Sequence, residues 1–232
     1  MKGSFPRISF TAEQQALISD LELLARAHTG ANGLLLKGGT ALLLGWGLPR
    51  PSSDLDFCCA GGFAGGKAKL LEGCANTLMM MGRNNVEFDI KQKGRGKGRL
   101  AYSDGSYDFR VAVDLQLNDE TANPVGAKPR RGVLMPPLHQ LAESKLQTLI
   151  GENPRMKARD LYDAAWLLST HPNAISGGTK RKMRQALPRF IEELDVWAEE
   201  FECDFVMSNH DPATFIDIID SCVQLRRGGW SG

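Results

Sequence analysis

LLLKGGTALLLGWGLPRPSSDLDF, residues 34–57, is the stretch from which the rest of the chain can be read. Leu34 to Leu36 form an apolar run of the length of a buried strand, and Gly38-Gly39 breaks it. The spacing predicts a short helix from Thr40 to Trp46, closed by Gly47 and Pro49. The polar turn Arg50-Pro51-Ser52-Ser53 then leads into a second strand, Leu55 to Cys59. At its entrance stands Asp54-Leu55-Asp56.

Alternate side chains of a strand share a face, so Asp54 and Asp56 point the same way. Two carboxylates that close repel unless a cation sits between them, and oxygen donors suit a divalent ion such as Mg²⁺. An isolated D-x-D pair is also a common polar strand end, so its surroundings matter. Asp114 lies in Val111-Ala112-Val113-Asp114-Leu115-Gln116-Leu117, a predicted strand of mostly apolar neighbours, where an uncompensated acid is costly. If that strand runs beside the Asp54–Asp56 strand, three carboxylates converge, as in a two-metal phosphoryl-transfer site. Glu87 and Asp89, in Val86-Glu87-Phe88-Asp89-Ile90, are the rival third acids. Upstream, Lys37-Gly38-Gly39-Thr40 joins a strand to a helix start, where backbone N–H groups can cradle phosphates.

Further out, Thr11 and Gln14 have capping-box spacing, and Leu17, Leu21, Leu24 and His28 continue a helix. After the glycine-rich AGGFAGG at 60–66, a helix is expected from about Lys67 to Met81. Strands are expected at Val86–Ile90 and Val111–Leu117, with a basic, glycine-rich segment between them. Pro136-Pro137 opens a helix to about Ile150, Arg155–Ser169 is another, and the chain is helical again from Thr179. There is no internal repeat. The class is α+β, with an α/β core over 1–130 and a helical region over 131–232.

Two charged residues in the helical region stand on apolar stripes. Lys145 falls in line with Leu138, Leu141, Ala142 and Leu149. Such a lysine either snorkels to solvent or reaches a polyphosphate. Asp160 leads the stripe of Ala164 and Leu167, with Arg159 and Asp163 beside it, and an ion pair to Lys145 or Lys157 would account for it.

The 28 Lys/Arg and 27 Asp/Glu of the 232 residues sum to a net +1, which conceals a division. Residues 1–189 hold 26 bases against 17 acids, and residues 190–232 hold 2 against 10. The basic body suits a polyanion, and the acidic end reads as a solvated helical cover. Lys91, Lys93, Arg95, Lys97 and Arg99 occupy every second position with no acid among them. If extended, they put five cations on one face, either a phosphate-contacting arm for RNA or a solvated hairpin.

A hydrophobic content of 42% with 24% charge excludes wholesale disorder. No apolar run approaches the roughly 20 residues of a membrane span, and MKGSFPRISF lacks the apolar stretch of a signal peptide. Five cysteines, odd in number and without C-x-x-C, are expected as reduced thiols in a cytoplasmic protein. Four scattered histidines argue against histidine-based metal chemistry.

Lys37-Gly38-Gly39-Thr40-Ala41-Leu42, Arg50-x-Ser52-x-Asp54-Leu55-Asp56-Phe57, Lys145 and Arg155-x-Lys157-x-Arg159-Asp160-Leu161-x-Asp163 together resemble the AbiEii-type nucleotidyltransferase toxins of bacterial abortive-infection and toxin–antitoxin systems, over about residues 34–170. The resemblance implies a polymerase-β-like nucleotidyltransferase domain with a mixed sheet and a helical C-terminal region completing the active site. It implies Mg²⁺ (or Mn²⁺), held by Asp54 and Asp56 with Asp114 as the third carboxylate. Gly39, Thr40 and Ser52 would bind nucleotide, Lys37, Arg50 and Lys145 would neutralise its triphosphate, and Asp160 would orient Lys145 or assist proton transfer. Thr40 stands where serine is usual and Arg159 where lysine is common. The implied reaction moves NMP from an NTP to RNA, at the tRNA 3′ end, blocking translation under the control of a cognate antitoxin. The alternatives are a protein or aminoglycoside-like acceptor, or a non-catalytic nucleic-acid-binding module.

Overall fold

The computed structural model describes residues 5–30, 33–90, 97–117, 126–151 and 154–224. They divide into two compact units, Arg7–Pro137 and Leu138–Gly232 with Met1–Pro6.

The first unit begins with α1 (Ala12–His28), where Thr11 and Gln14 exchange both bonds of the capping box. β1 (Leu35–Lys37) passes directly into α2 (Gly38–Trp46), followed by β2 (Asp54–Cys58) and α3 (Gly66–Met80). Then come β3 (Asn84–Asp89), β4 (Gly98–Ser103) and β5 (Asp108–Gln116), and a small hairpin, β6 (Lys128–Arg130) with β7 (Val133–Met135). The five-stranded sheet has the order β1-β2-β5-β4-β3. β2 and β5 are parallel, whereas β1 on β2, β4 on β5 and β3 on β4 are antiparallel, so the sheet is mixed.

Period-two alternation gives the sheet one apolar and one polar face. Leu55 and Phe57 of β2, Leu100 and Tyr102 of β4, and Phe109, Val111, Val113 and Leu115 of β5 are buried. The apolar side of α3 (Leu70, Leu71, Cys74, Ala75, Leu78) packs against β3, β4 and β5. The intervening residues, including Asp54, Asp56, Arg99, Arg110 and Asp114, are half-buried or exposed on the opposite face.

Two elements depart from the sequence expectation. The basic glycine-rich segment ends in strand β4, because Leu100 and Tyr102 enter the core and both edges are hydrogen-bonded, to β3 and β5. Gly98 fits there because a Cβ would lie 2.3 Å from Leu71 Cδ1 of α3. The β6–β7 hairpin is carried by Arg131 and Gly132 at φ 50° and 78°, the positive pair that a tight hairpin turn requires, although β6 contains Pro129.

The second unit is helical: α4 (Leu138–Ile150), α5 (Ala158–Thr170), a 3₁₀ turn (Pro172–Ala174), α6 (Gly177–Glu192), α7 (Leu194–Cys203) and α8 (Pro212–Val223). α5 is buried almost along its whole length, against α4 and α8. The N-terminus of α6 is held by Ser176, whose hydroxyl accepts from Thr179 N, and by Glu143 of α4, which accepts from Ser176 N at 2.7 Å. Burial would raise the Glu143 carboxyl, but its bonds from Thr179 and Ser176 outweigh that and hold it below the usual range. The acidic end is more than a solvated cover. Glu200 accepts from Lys157 at 2.7 Å, Asp204 from Arg159 at 2.7 Å, and Glu193 sits 3.6 Å from Arg189. No helix among the described residues is long and apolar enough to cross a membrane.

Phe57 is fully buried and alternates with Asp56 on β2, so it seats the acidic strand in the core. Phe57→Ala is expected to cost about 3–5 kcal/mol in urea unfolding, and Phe57→Leu markedly less.

Candidate active site

The site begins with the turn that ends β1. Gly38 has φ +75°, and a Cβ there would stand 2.5 Å from Asp56 Oδ2. Both the left-handed backbone and the close approach of a carboxylate call for glycine. At Gly39 a Cβ would meet Arg50 Nη2 at 3.0 Å and Ser52 Oγ at 3.1 Å. Thr40, Arg50 and Ser52 are buried. Thr40 Oγ1 lies 2.9 Å from Ser52 Oγ and 2.5 Å from the carbonyl oxygen of Asp54, while Arg50 Nη1 donates to Pro51 O at 2.9 Å. The glycine turn and the Arg50–Ser52 segment are therefore joined by short bonds that fasten the start of β2. Lys37 Nζ donates to the Gln116 side chain.

The register then lines up the charges. Lys37 of β1 is opposite Asp56 of β2, and Asp56 is opposite Asp114 of β5. Asp54 is level with Ala112, two residues before Asp114, so the three acids share the polar face. Lys97 Nζ straddles the first two, 2.7 Å from Asp54 Oδ2 and 3.2 Å from Asp56 Oδ1. Lys67, at the start of α3, puts Nζ 2.6 Å from Asp114 Oδ1, which also accepts from Leu115 N at 2.9 Å. Burial disfavours the charged Asp114, but the bond and charge of Lys67 outweigh it, and its carboxyl lies below the usual range. Burial likewise opposes the charge on Lys97, and the two carboxylates overcome it, raising its affinity for the proton.

Among the described residues no group of three His, Cys, Asp or Glu side chains closes on one point. What stands together is the pair Asp54–Asp56 bridged by the Lys97 ammonium, with Asp114 bonded to Lys67. Glu87 and Asp89 are exposed on β3, the far edge strand, where Asp89 is opposite Arg99. Three strand intervals separate β3 from β2, or about 14 Å at ~4.8 Å each. Arg99 is exposed on β4. Lys91, Lys93 and Arg95 lie outside the described residues.

In the helical unit a second cluster is buried. Lys145 Nζ of α4 lies 2.6 Å from Asp160 Oδ1 and 2.9 Å from Asp163 Oδ2 of α5. Asp160 and Asp163 are 1% and 0% exposed, so the ammonium is what makes their burial tolerable. Arg155 caps the other oxygen, with Nη2 2.6 Å from Asp160 Oδ2. Of the two partners expected for Asp160, the structure selects Lys145 and gives Lys157 to Glu200.

Sequence reasoning left three participants unassigned. Asp163 is one helical turn from Asp160 on the same face, and that spacing was readable. Gly38 was readable as part of the turn, though its fit against Asp56 is a tertiary fact. Lys67 has no local signal, because only the packing of α3 on the sheet brings it to Asp114.

A family profile described as nucleotidyl transferase AbiEii toxin, Type IV TA system, matches residues 22–204. The chain belongs to this AbiEii family. It is thus a nucleotidyltransferase of the toxin–antitoxin kind. JHP933 from Helicobacter pylori superposes with a TM-score of 0.74 at 20% identity, over 93% of this chain and 92% of that one. A second structure from H. pylori gives 0.74 at 19%, over 93% and 95%. MenT4, a nucleotidyltransferase toxin from Mycobacterium tuberculosis H37Rv, gives 0.53 at 17%, over 92% and 84%. At these identities the structures speak for the fold alone. Comparison with curated proteins found no match.

In this AbiEii-family chain the donor chemistry at β2 fits a divalent cation. Two oxygen donors face one point, and a lysine ammonium already stands there as a surrogate positive charge. Gly38→Ala is expected to strain the backbone by about 1–3 kcal/mol in thermal unfolding and to push Asp56 aside. Gly39→Ala, which meets only side-chain ends, is expected to cost less. Lys145→Ala is expected to cost about 3–5 kcal/mol by stranding Asp160 and Asp163, with stability largely recovered when both acids become Asn in a Lys145→Met background.

Proposed function

We propose that the protein moves NMP from an NTP to the 3′ end of tRNA, in the presence of Mg²⁺ (or Mn²⁺), and so blocks translation in the cytoplasm until a cognate antitoxin restrains it. The observation that carries this reading is the Asp54–Asp56 pair bridged by the Lys97 ammonium, with Gly38 packed against Asp56. Family membership supplies the reaction class.

In this reading Asp54 and Asp56 hold the divalent ion, which when bound supplies charge stabilisation to the reacting phosphates. The 3′-hydroxyl oxygen bonds to the α-phosphorus, and the bond from that phosphorus to the oxygen bridging to the β-phosphate breaks. Pyrophosphate leaves, and the hydroxyl proton passes to Asp114, once Lys67 releases it. Gly38 and Gly39 leave room for phosphate oxygens at the helix start, and Thr40, Ser52 and Arg50 keep that turn in place. Lys37 balances charge on the polyphosphate as pyrophosphate departs. The family pattern assigns Lys145 and Asp160 to nucleotide handling too, a separate claim, which Lys145→Arg tests by keeping the charge and changing the head group.

The acceptor is RNA because the basic body offers phosphate contacts that a protein acceptor does not need. Replacing Lys91, Lys93, Arg95, Lys97 and Arg99 with Ser is expected to weaken tRNA binding and flatten its salt dependence, by about 0.7–0.9 in log–log slope per lost contact. The deciding assay incubates the protein with Mg²⁺, each labelled NTP and total tRNA. Label at the tRNA 3′ end, reduced about 10²- to 10³-fold by Asp54→Ala, is the expected outcome. Label on protein or on an added aminoglycoside instead would overturn the acceptor, and undiminished transfer by Asp54→Ala would overturn the site.

A further inference from the structure

Lys97 is in an unusual position for a member of a basic, phosphate-facing segment. Its ammonium points at acids, bridging Asp54 at 2.7 Å and Asp56 at 3.2 Å, the two groups to which the reading above gives the divalent ion. Lys67 does the same for Asp114 at 2.6 Å. Each of the three carboxylates thus has a lysine ammonium against it. A divalent cation between Asp54 and Asp56 cannot share that space with an ammonium, because like charges at contact distance repel and both need the same oxygens.

We propose that Lys97 is a tethered counter-cation of the Asp54–Asp56 pair, displaced by the divalent ion and then turned to the phosphates of the nucleotide. The inference rests on the metal-holding role of Asp54 and Asp56. Three features suit Lys97 to such an exchange. Its side chain is 44% exposed, so it can swing without opening the core. Its backbone is anchored by Gly98, which packs against Leu71 too closely for any side chain, so the stem pivots from a fixed point. It is a lysine, a single charge on a flexible stem, where an arginine would hold both acids in a rigid fork. Lys67 differs, because its side chain is only 20% exposed. The exchange makes the bare ion bind weakly and the ion with nucleotide bind well, since Lys97 loses one partner and gains another. An idle enzyme would then hold no metal it is not about to use.

The test measures Mn²⁺ binding by calorimetry, first alone and then with a non-hydrolysable NTP analogue. Lys97→Ala is expected to bind Mn²⁺ alone about three- to tenfold more tightly than wild type, and to bind the analogue more weakly. Lys97→Arg keeps the charge but holds both acids in a rigid fork, and is expected to bind Mn²⁺ alone more weakly than wild type. In the wild-type protein, acylation of Lys97, read by mass spectrometry, is expected to rise several-fold when Mg²⁺ is added. Equal or weaker Mn²⁺ binding by Lys97→Ala, or acylation of Lys97 that ignores Mg²⁺, overturns the displacement. Asp54→Asn separates the two claims. If wild type binds Mn²⁺, Asp54→Asn does not, and Lys97→Ala matches wild type, only the displacement fails. If neither wild type nor Lys97→Ala binds the ion, the metal-holding role of the pair fails with it.

Discussion

Repulsion between carboxylates on one face of a sheet is the constraint around which the first unit is arranged. Asp54 and Asp56 are two residues apart on β2, and the parallel register of β5 adds Asp114 beside Asp56. Such a group exists in a folded chain only if positive charge is brought to it. Here such charge comes from Lys97, directly before β4, and from Lys67 in α3, elements whose packing is otherwise governed by apolar contacts. The buried face of the sheet makes this possible. Leu55, Phe57, Val111, Val113 and Leu115 hold β2 and β5 in a register that the acids on the opposite face would not choose.

The helical unit solves a related problem differently. Asp160 and Asp163 are buried, and Lys145 and Arg155 meet them with direct bonds. Burial of charge is tolerated there because each acid has a partner and Asp160 also stands in the first turn of α5, where the helix dipole favours an anion. On the sheet the pairs are more open to water, and open pairs exchange partners more readily than buried ones. The acidic end of the chain takes part as well, through Glu193, Glu200 and Asp204, which meet Arg189, Lys157 and Arg159. The near-zero net charge of the whole chain therefore reflects partly matched pairs within the helical unit, and it says little about what the polar face of the sheet attracts.

Much of the fold was legible along the chain. The capping box at Thr11, the strand–turn–helix–strand of residues 34–57 and the helices Leu138–Ile150 and Ala158–Thr170 follow from local spacing, which decides the apolar face of an element, whereas the division of the later helical stretch into three was not read. β4 was not legible, because three glycines and five bases hide the alternation of Leu100 and Tyr102, and the strand is held by neighbours on both sides. The β6–β7 hairpin was hidden by its proline and by strands of three residues each.

The same division holds at the site. That Asp54 and Asp56 share a face is a property of any strand carrying acids two residues apart, and the AbiEii pattern could be read from residue types and order alone. Which cation meets them is a different kind of fact. Lys97 lies 43 residues beyond Asp54, and Lys67 47 residues before Asp114. No periodicity reaches that far. The meeting depends on the strand order and on how closely Gly98 lets β4 approach α3, quantities set by packing between elements rather than within one.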